Sequence, residues 1–506
     1  MVDGKPSRSS RVDAKKESSP RNDGQTHSAI ASGRSFGNIR IINALQHTER
    51  DVFYSTYWES QCLPALHPLF HSISRLASDK PMLKDAILAL SSCNLSRLSA
   101  EKRLSQTGNM GSFSPSLIHQ TRSQLYYSSA IRKFTSLDPL ESRQNAAIIL
   151  AVQVLFAYFE SSMGNFHGFN CHVQGMSDFL KTTPSVSTDI TIQSILTAWM
   201  QVRFVVWWAR AYFSSLDIQQ QILSVPLPTL LPGFAASLDE RRAEVLGIMC
   251  ESHRLNFASL FQYWDPGPVS CLKNNTNHET SHIQLAQESE KMDEWLSRLP
   301  SSEEPTKTNA YAASSNAVDD NRNALYFLSH KAALNYAYYV VGRIMQCKSL
   351  LRNLQSRNSQ IIGHECHEEE YWIRLLLRIA TGTNLRTSLT ENNYTIGFTG
   401  LLLAAILRCQ NISLGIEIQD WLGALAELQP TEEGAFPVYQ TLGVVKAINF
   451  QKSIGRDVFA ITLPLDDGGG MPKFTAYSSQ LITTLVFYGK SNITGDLFAE
   501  CVTINM

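Results

Sequence analysis

The sequence has no CxxC pair. Its nine cysteines, Cys62, Cys93, Cys171, Cys250, Cys271, Cys347, Cys366, Cys409 and Cys501, are spread along the chain. Zinc clusters draw thiolates from closely spaced pairs, and small secreted folds pack cysteines into a dense framework. The spacing argues against both, and leaves reduced, buried thiols that behave as small apolar residues. A surplus of charge of one sign is also missing: 44 basic and 45 acidic residues give a formal net charge of −1. A domain that grips a phosphate backbone carries a basic surplus, and the total shows none.

Long apolar runs are scarce. The longest, AAIILAVQVLFAYF at 146–159, is about two thirds of the roughly 20 residues that span a bilayer, and Gln153 interrupts it. A buried core helix is the expectation, with no membrane partner. The first residues are polar and lack the apolar centre of a signal peptide, so the Asn94-Leu95-Ser96 sequon carries no weight. The glycine patterns of nucleotide sites, GxxxxGK[ST] and GxGxxG, are absent, as are a GxSxG elbow and the kinase motifs. Strand signals are few, with VFAITLPL at 458–465 the clearest. No repeat of 30–50 residues and no sustained heptad run is visible.

What remains is helical. Hydrophobic residues make up 43% of the chain and charged residues 18%, below the usual share of roughly a quarter, so much helix surface must be buried. Residues 1–40 form a polar tail expected to be disordered, mildly basic over 8–21, where Asp13 and Glu17 interrupt the lysines and arginines. From 41 to 506 the pattern is that of one large all-α domain. Asp79 reads as an N-cap ahead of Lys80-Pro81, and Leu83, Ala86, Ile87 and Leu90 follow at the spacing of a core-facing stripe. Ser114-Pro115 and Pro139 mark further starts. Helices are expected near 165–181, 190–215, 238–263, 286–298, 323–355, 368–388, 395–411 and 434–453. Stretches 265–282 and 299–321, rich in Pro, Ser, Asn and Thr, read as long loops and frame a sub-boundary at 265–321.

Four groups of residues bear on chemistry. His364, Cys366, His367, Glu368 and Glu370 offer metal-ligand atoms, but the order His-Glu-Cys-His-Glu is not HExxH, and acidic residues there also suit a helix N-terminus. His167 and Cys171, at i and i+4, can meet on one helix face as a nucleophile–base pair, with His172 beside them; packing is the plainer reading. Asp466-Asp467-Gly468-Gly469-Gly470 reads as a turn. Phe204, Val205, Val206, Trp207, Trp208 and Tyr212, and Tyr336, Tyr338 and Tyr339, pack between helices or line an apolar pocket. No catalytic residue, metal site or cofactor is assigned.

Several segments resemble the fungal-specific transcription factor domain, the regulatory domain of zinc-cluster transcription factors. They are HPLFHSISRLASDKPMLKDAILALSSCNLSRLSA (67–100), NFHGFNCHVQGMSDFL with His172 and Gly175 (165–180), EEEYWIRLLLRIATGTNL (368–385) with NNYTIGFTGLLLAAILRC (392–409), and VYQTLGVVKAINFQKSIGRDVFA (438–460). The resemblance spans roughly 41–506. It implies an all-α regulatory domain, a place in the nucleus, control of a metabolic or secondary-metabolite gene cluster, and no enzymatic activity. A zinc cluster needs six cysteines in about 30 residues, and the first cysteine here is Cys62. The implied mode is therefore regulation through other transcription factors or co-regulators, with DNA reached indirectly or through a further domain. An apolar small-molecule effector is a further expected partner. A small-molecule sensor and a biosynthetic enzyme recruited on the same helical fold are the alternatives.

Overall fold

The computed structural model describes residues 47–99, 101–104, 110–182, 190–216, 219, 237–264, 274–306, 324–355, 367–464 and 482–504. The tail 1–40 and the Asp466–Gly470 turn lie outside the described residues. Residues 1–50 and Asp51–Met506 form separate units, and the second holds the fold.

The chain is mostly helical, as the patterning requires. In order come α1 (His47–Tyr57), α2 (Leu69–Ser74), α3 (Pro81–Leu98), the hairpin β1 (Glu101–Leu104) and β2 (Met110–Ser114), α4 (Leu117–Thr135), α5 (Pro139–Gln144), α6 (Ala146–Met163), α7 (Phe166–Thr182) and α8 (Ile190–Tyr212). Then follow α9 (Leu238–Phe261), α10 (Asn274–Ser297), α11 (His330–Gln346), α12 (Ser349–Gln355), α13 (His367–Gly382), α14 (Leu385–Glu391), α15 (Phe398–Ile406) and α16 (Ile412–Glu427). The chain closes with the hairpin β3 (Glu432–Glu433) and β4 (Phe436–Pro437), α17 (Val438–Ser453), and β5 (Arg456–Thr462), β6 (Thr484–Ser491) and β7 (Leu497–Thr503).

Sequence neighbours are mostly spatial neighbours. Helix α3 packs on α4 and α6, α6 on α7 and α8, α8 on α9, and α9 on α10 and α11. Helix α11 then meets α13 and α15, α16 lies along α17, and α17 covers β5. One continuous apolar core runs through the Asp51–Met506 unit from Tyr54 to Ile504. Helix α6 is apolar and long enough to cross a membrane by length and composition, but 78% of that stretch is buried by its neighbours, which makes it a core helix.

Local chemistry sets the ends. Pro81 opens α3 at its first turn, but the cap position is Lys80, without a side-chain cap; Asp79 sits one residue too early. Likewise α4 starts at Leu117, past Ser114-Pro115. Pro139 does start a helix, with Asp138 accepting from the Leu140 and Glu141 amides at 2.7 and 2.8 Å, but it is the short α5, and the apolar run at 146–159 lies on the separate α6. Ser237 and Glu240 form a capping box on α9. Helix α6 stops at Gly164, in the left-handed region at φ 70°, which glycine adopts without Cβ strain.

The helical fold holds, and small sheets accompany it, the largest at the C-terminus. The strand expected at 458–465 is β5, and it pairs antiparallel with β6, which pairs antiparallel with β7. Strand β6 is buried at most positions while β7 is largely exposed, so neither presents a clean two-residue alternation. Two further expectations shift. Helix α10 begins at Asn274, inside the stretch read as loop, because the Asn, Thr and Ser residues there give the sequence no apolar stripe to read. The span 323–355 divides into α11 and α12 at Cys347.

Candidate functional site

The expected aromatic cluster is a packed core. Helix α8 turns Trp208 and Tyr212 inward, and α9 brings His253 and Phe257 against them. His253 stacks on Phe257 with centroids 4.2 Å apart and lies 4.7 Å from Trp208 and 5.1 Å from Tyr212. Tyr212 Oη and His253 Nε2 are 2.6 Å apart. Burial holds the His253 imidazole well below its ordinary value, so the ring is neutral. Trp207 and Trp208 both pack against His253, with ring centroids 5.4 and 4.7 Å away. The second aromatic group behaves alike: Tyr338 bonds Thr395 Oγ1 at 2.8 Å and the Ile396 carbonyl at 2.7 Å, and Tyr339 stacks on Trp295 at 5.8 Å.

Behind the first cluster lies a residue the sequence did not single out. Arg408, just past α15, is 4% exposed. Its Nε and Nη2 donate to Asn256 Oδ1 at 3.1 and 2.7 Å, and Nη1 donates to the Phe459 and Leu407 carbonyls at 2.7 and 3.0 Å. The guanidinium also lies 4.7 Å over the Phe257 ring. Burial lowers its pKa to about 10. It joins α9, the end of α15 and β5, elements distant in sequence, which is why no local pattern marks it.

The 364–370 group divides. His364 and Cys366 lie outside the described residues, and so does the side chain of His367. Glu368 is exposed. Glu370 accepts from Asn411 Nδ2 at 3.2 Å and lies 3.8 Å from Arg374. Glu369, one residue from the residues singled out, is the buried member: it accepts from Ser349 Oγ, and burial raises its carboxyl above the usual range. Glu369, Glu370, Arg408 and Cys409 line a small cleft with about 10 Å³ of free space, on the order of one water molecule. Among the described residues no three His, Cys, Asp or Glu side chains are grouped to hold a metal ion.

The second cluster is brought together, but on two sides of α7. His167 and Cys171 meet at the exposed face, Sγ to Nε2 3.8 Å. His172 turns inward, where its Nε2 lies 2.7 Å from Tyr127 Oη, and that phenol donates to Glu160 Oε1 at 2.5 Å. Burial drives the His172 imidazole down to about 4 and raises the Glu160 carboxyl.

One surface feature stands apart from these. Helices α16 and α17 run side by side, with Asn449 Nδ2 donating to the Gly415 carbonyl at 2.8 Å. Ile412 and Ile416, one turn apart on α16, and Phe450 on α17 with Ile454 just past its end, lie close in sequence to that contact. They are 38%, 46%, 62% and 44% exposed. The Ile493 side chain, 81% exposed, lies 3.3 Å from where a Cβ on Gly455 would sit and extends the apolar face. Sequence reading does not mark these residues as exposed, since each of them also fits a core stripe.

Comparison of the chain with family models, with curated proteins and with solved structures gives no match.

Proposed function

We propose that this chain is a transcriptional regulator resembling the fungal-specific transcription factor domain, acting in the nucleus on a metabolic or secondary-metabolite gene cluster. It reaches DNA indirectly, through a protein partner, or through a further domain, since residues 1–506 contain no six-cysteine cluster. The observation that carries this reading is the apolar face of Ile412, Ile416, Phe450, Ile454 and Ile493. Large apolar side chains grouped on a surface mark interaction sites more often than isolated ones do. This face falls within and beside the segment 438–460 that carries part of the resemblance. The other resembling segments lie on α2–α3, α7, α13 and α15, whose apolar sides share one core.

The test is transcript profiling after deletion of the gene, with complementation by the intact chain or by Ile416→Asp/Phe450→Asp. The expected result is loss of a contiguous block of transcripts, restored by the intact chain and not by the double variant at equal protein level. Unchanged transcripts with an accumulated metabolic intermediate would overturn the regulatory reading in favour of an enzyme. Restoration by the double variant would remove the apolar face from the mechanism.

A further inference from the structure

The described cysteines divide into two chemical classes. Cys62, Cys93, Cys250, Cys347 and Cys409 are buried, whereas Cys171 and Cys501 are exposed. Burial pushes the thiols of Cys62 and Cys93 up to about 12 and raises those of Cys250, Cys347 and Cys409, so these five are inert. The two exposed thiols differ in their neighbours. Cys501 sits on the edge strand β7. Cys171 sits on α7 with the imidazole of His167 one turn before it, Nε2 to Sγ 3.8 Å, both side chains facing solvent.

The pair is held from behind. Helix α6 ends at Gly164, and Asn165 Oδ1 accepts from the Gly168 amide at 3.1 Å to start α7. This turn places Glu160, at the end of α6, against α7: a Cβ on Gly168 would lie 2.5 Å from the Glu160 carboxyl carbon. The Glu160 carboxyl accepts from Tyr127 Oη at 2.5 Å and bonds Asn165.

We propose that Cys171 is a site of covalent modification by electrophilic α,β-unsaturated carbonyl compounds, with His167 as its base. The thiol proton passes to His167 Nε2. The sulfur then adds to the β-carbon of the conjugated carbonyl, forming one C–S bond, and the imidazolium returns the proton to the α-carbon. Thiol and electrophile are both consumed into one adduct, with no leaving group and no oxidant. Addition is the modification that this pair can carry unaided, since disulfide or sulfenic acid formation requires an oxidant and acyl transfer requires an activated donor. The site is reached directly from solvent, so selection rests on thiol reactivity rather than on a pocket.

The experiment is competitive alkylation of the full chain at pH 7 with limiting N-ethylmaleimide, with Cys171 and Cys501 followed in the same sample by peptide mass spectrometry. Cys171 is expected to react faster than Cys501 by about threefold or more, and His167→Gln to remove that advantage while the Cys501 rate stays constant. The constant Cys501 rate, together with an unchanged circular dichroism spectrum, reports that the variant is folded. Equal rates in the intact chain, or a Cys171 advantage that survives His167→Gln, would overturn the proposal.

Discussion

Glu433 caps a helix that begins 35 residues before it in sequence. Its Oε1 accepts from the Phe398 amide at 3.0 Å and from Asn392 Nδ2 at 2.6 Å, and its Oε2 accepts from the Thr399 amide at 2.7 Å. The carboxyl is fully buried, and burial raises its pKa above the usual carboxylate range. The approach is close enough that Gly397 cannot carry a Cβ, and Gly434, at φ 65°, turns the β3–β4 hairpin toward it. The hairpin thus ties the start of α15 to the start of α17.

Glu433→Ala leaves two helix N–H groups and one amide donor without their acceptor in the core. A loss of about 3 kcal/mol or more is expected from the orphaned donors alone. Glu433→Gln, which keeps one carbonyl oxygen, loses less. Urea denaturation of both variants checks the order.

Arg408 is expected to resist conservative replacement. A lysine ammonium cannot reproduce the planar fork that bonds Asn256 and the Phe459 carbonyl together while lying over Phe257. Arg408→Lys should cost about 2–4 kcal/mol, comparable to Arg408→Ala. A midpoint within experimental error of the parent chain would show that these bonds do not hold the fold.

Acid should destabilise the protein through its buried histidines. His67, His119 and His172 are each lowered to about 4 by burial. Between pH 6.5 and about 4 the unfolded chain binds protons at these rings and the folded chain does not, so stability falls as pH falls through that window. Buried carboxyls raised above their ordinary range, Glu433 and Glu369 among them, act in the opposite sense, because the folded state holds their protons to higher pH. A single site isolates the sign. The stability of the parent chain relative to His119→Asn should decline between pH 7 and pH 5, read from paired urea titrations.

Gly382→Ala should destabilise for a steric reason. A Cβ there would sit 2.0 Å from the Leu325 carbonyl oxygen, a backbone atom that cannot rotate away. The strand of chain at Leu325, bonded to the Arg378 carbonyl at 2.8 Å, would have to leave α13. A cost of about 1–3 kcal/mol is expected, seen as a lower thermal midpoint.

Phe450→Asp and Ile416→Asp should leave stability within about 0.5 kcal/mol of the parent chain, because both side chains already face solvent. Thermal denaturation of the purified variants checks this. A large loss would mean that these residues belong to the core rather than to a surface.

The sequence by itself determined the helices and the core. Apolar stripes at helical spacing and Pro81 and Pro139 at helix starts fix local structure, because they act over one or two turns. Contacts between distant residues were beyond its reach. Glu433 on Phe398 and Thr399, Arg408 on Asn256 and Phe459, and Tyr127 between Glu160 and His172 depend on how helices pack. The same holds for exposure. Ile416 and Phe450 have the chemistry of core residues, and only the pairing of α16 with α17 leaves them at the surface. His167 and Cys171 show both sides: helical spacing brings them together, while tertiary packing decides that they face solvent and that His172, one residue further on, does not.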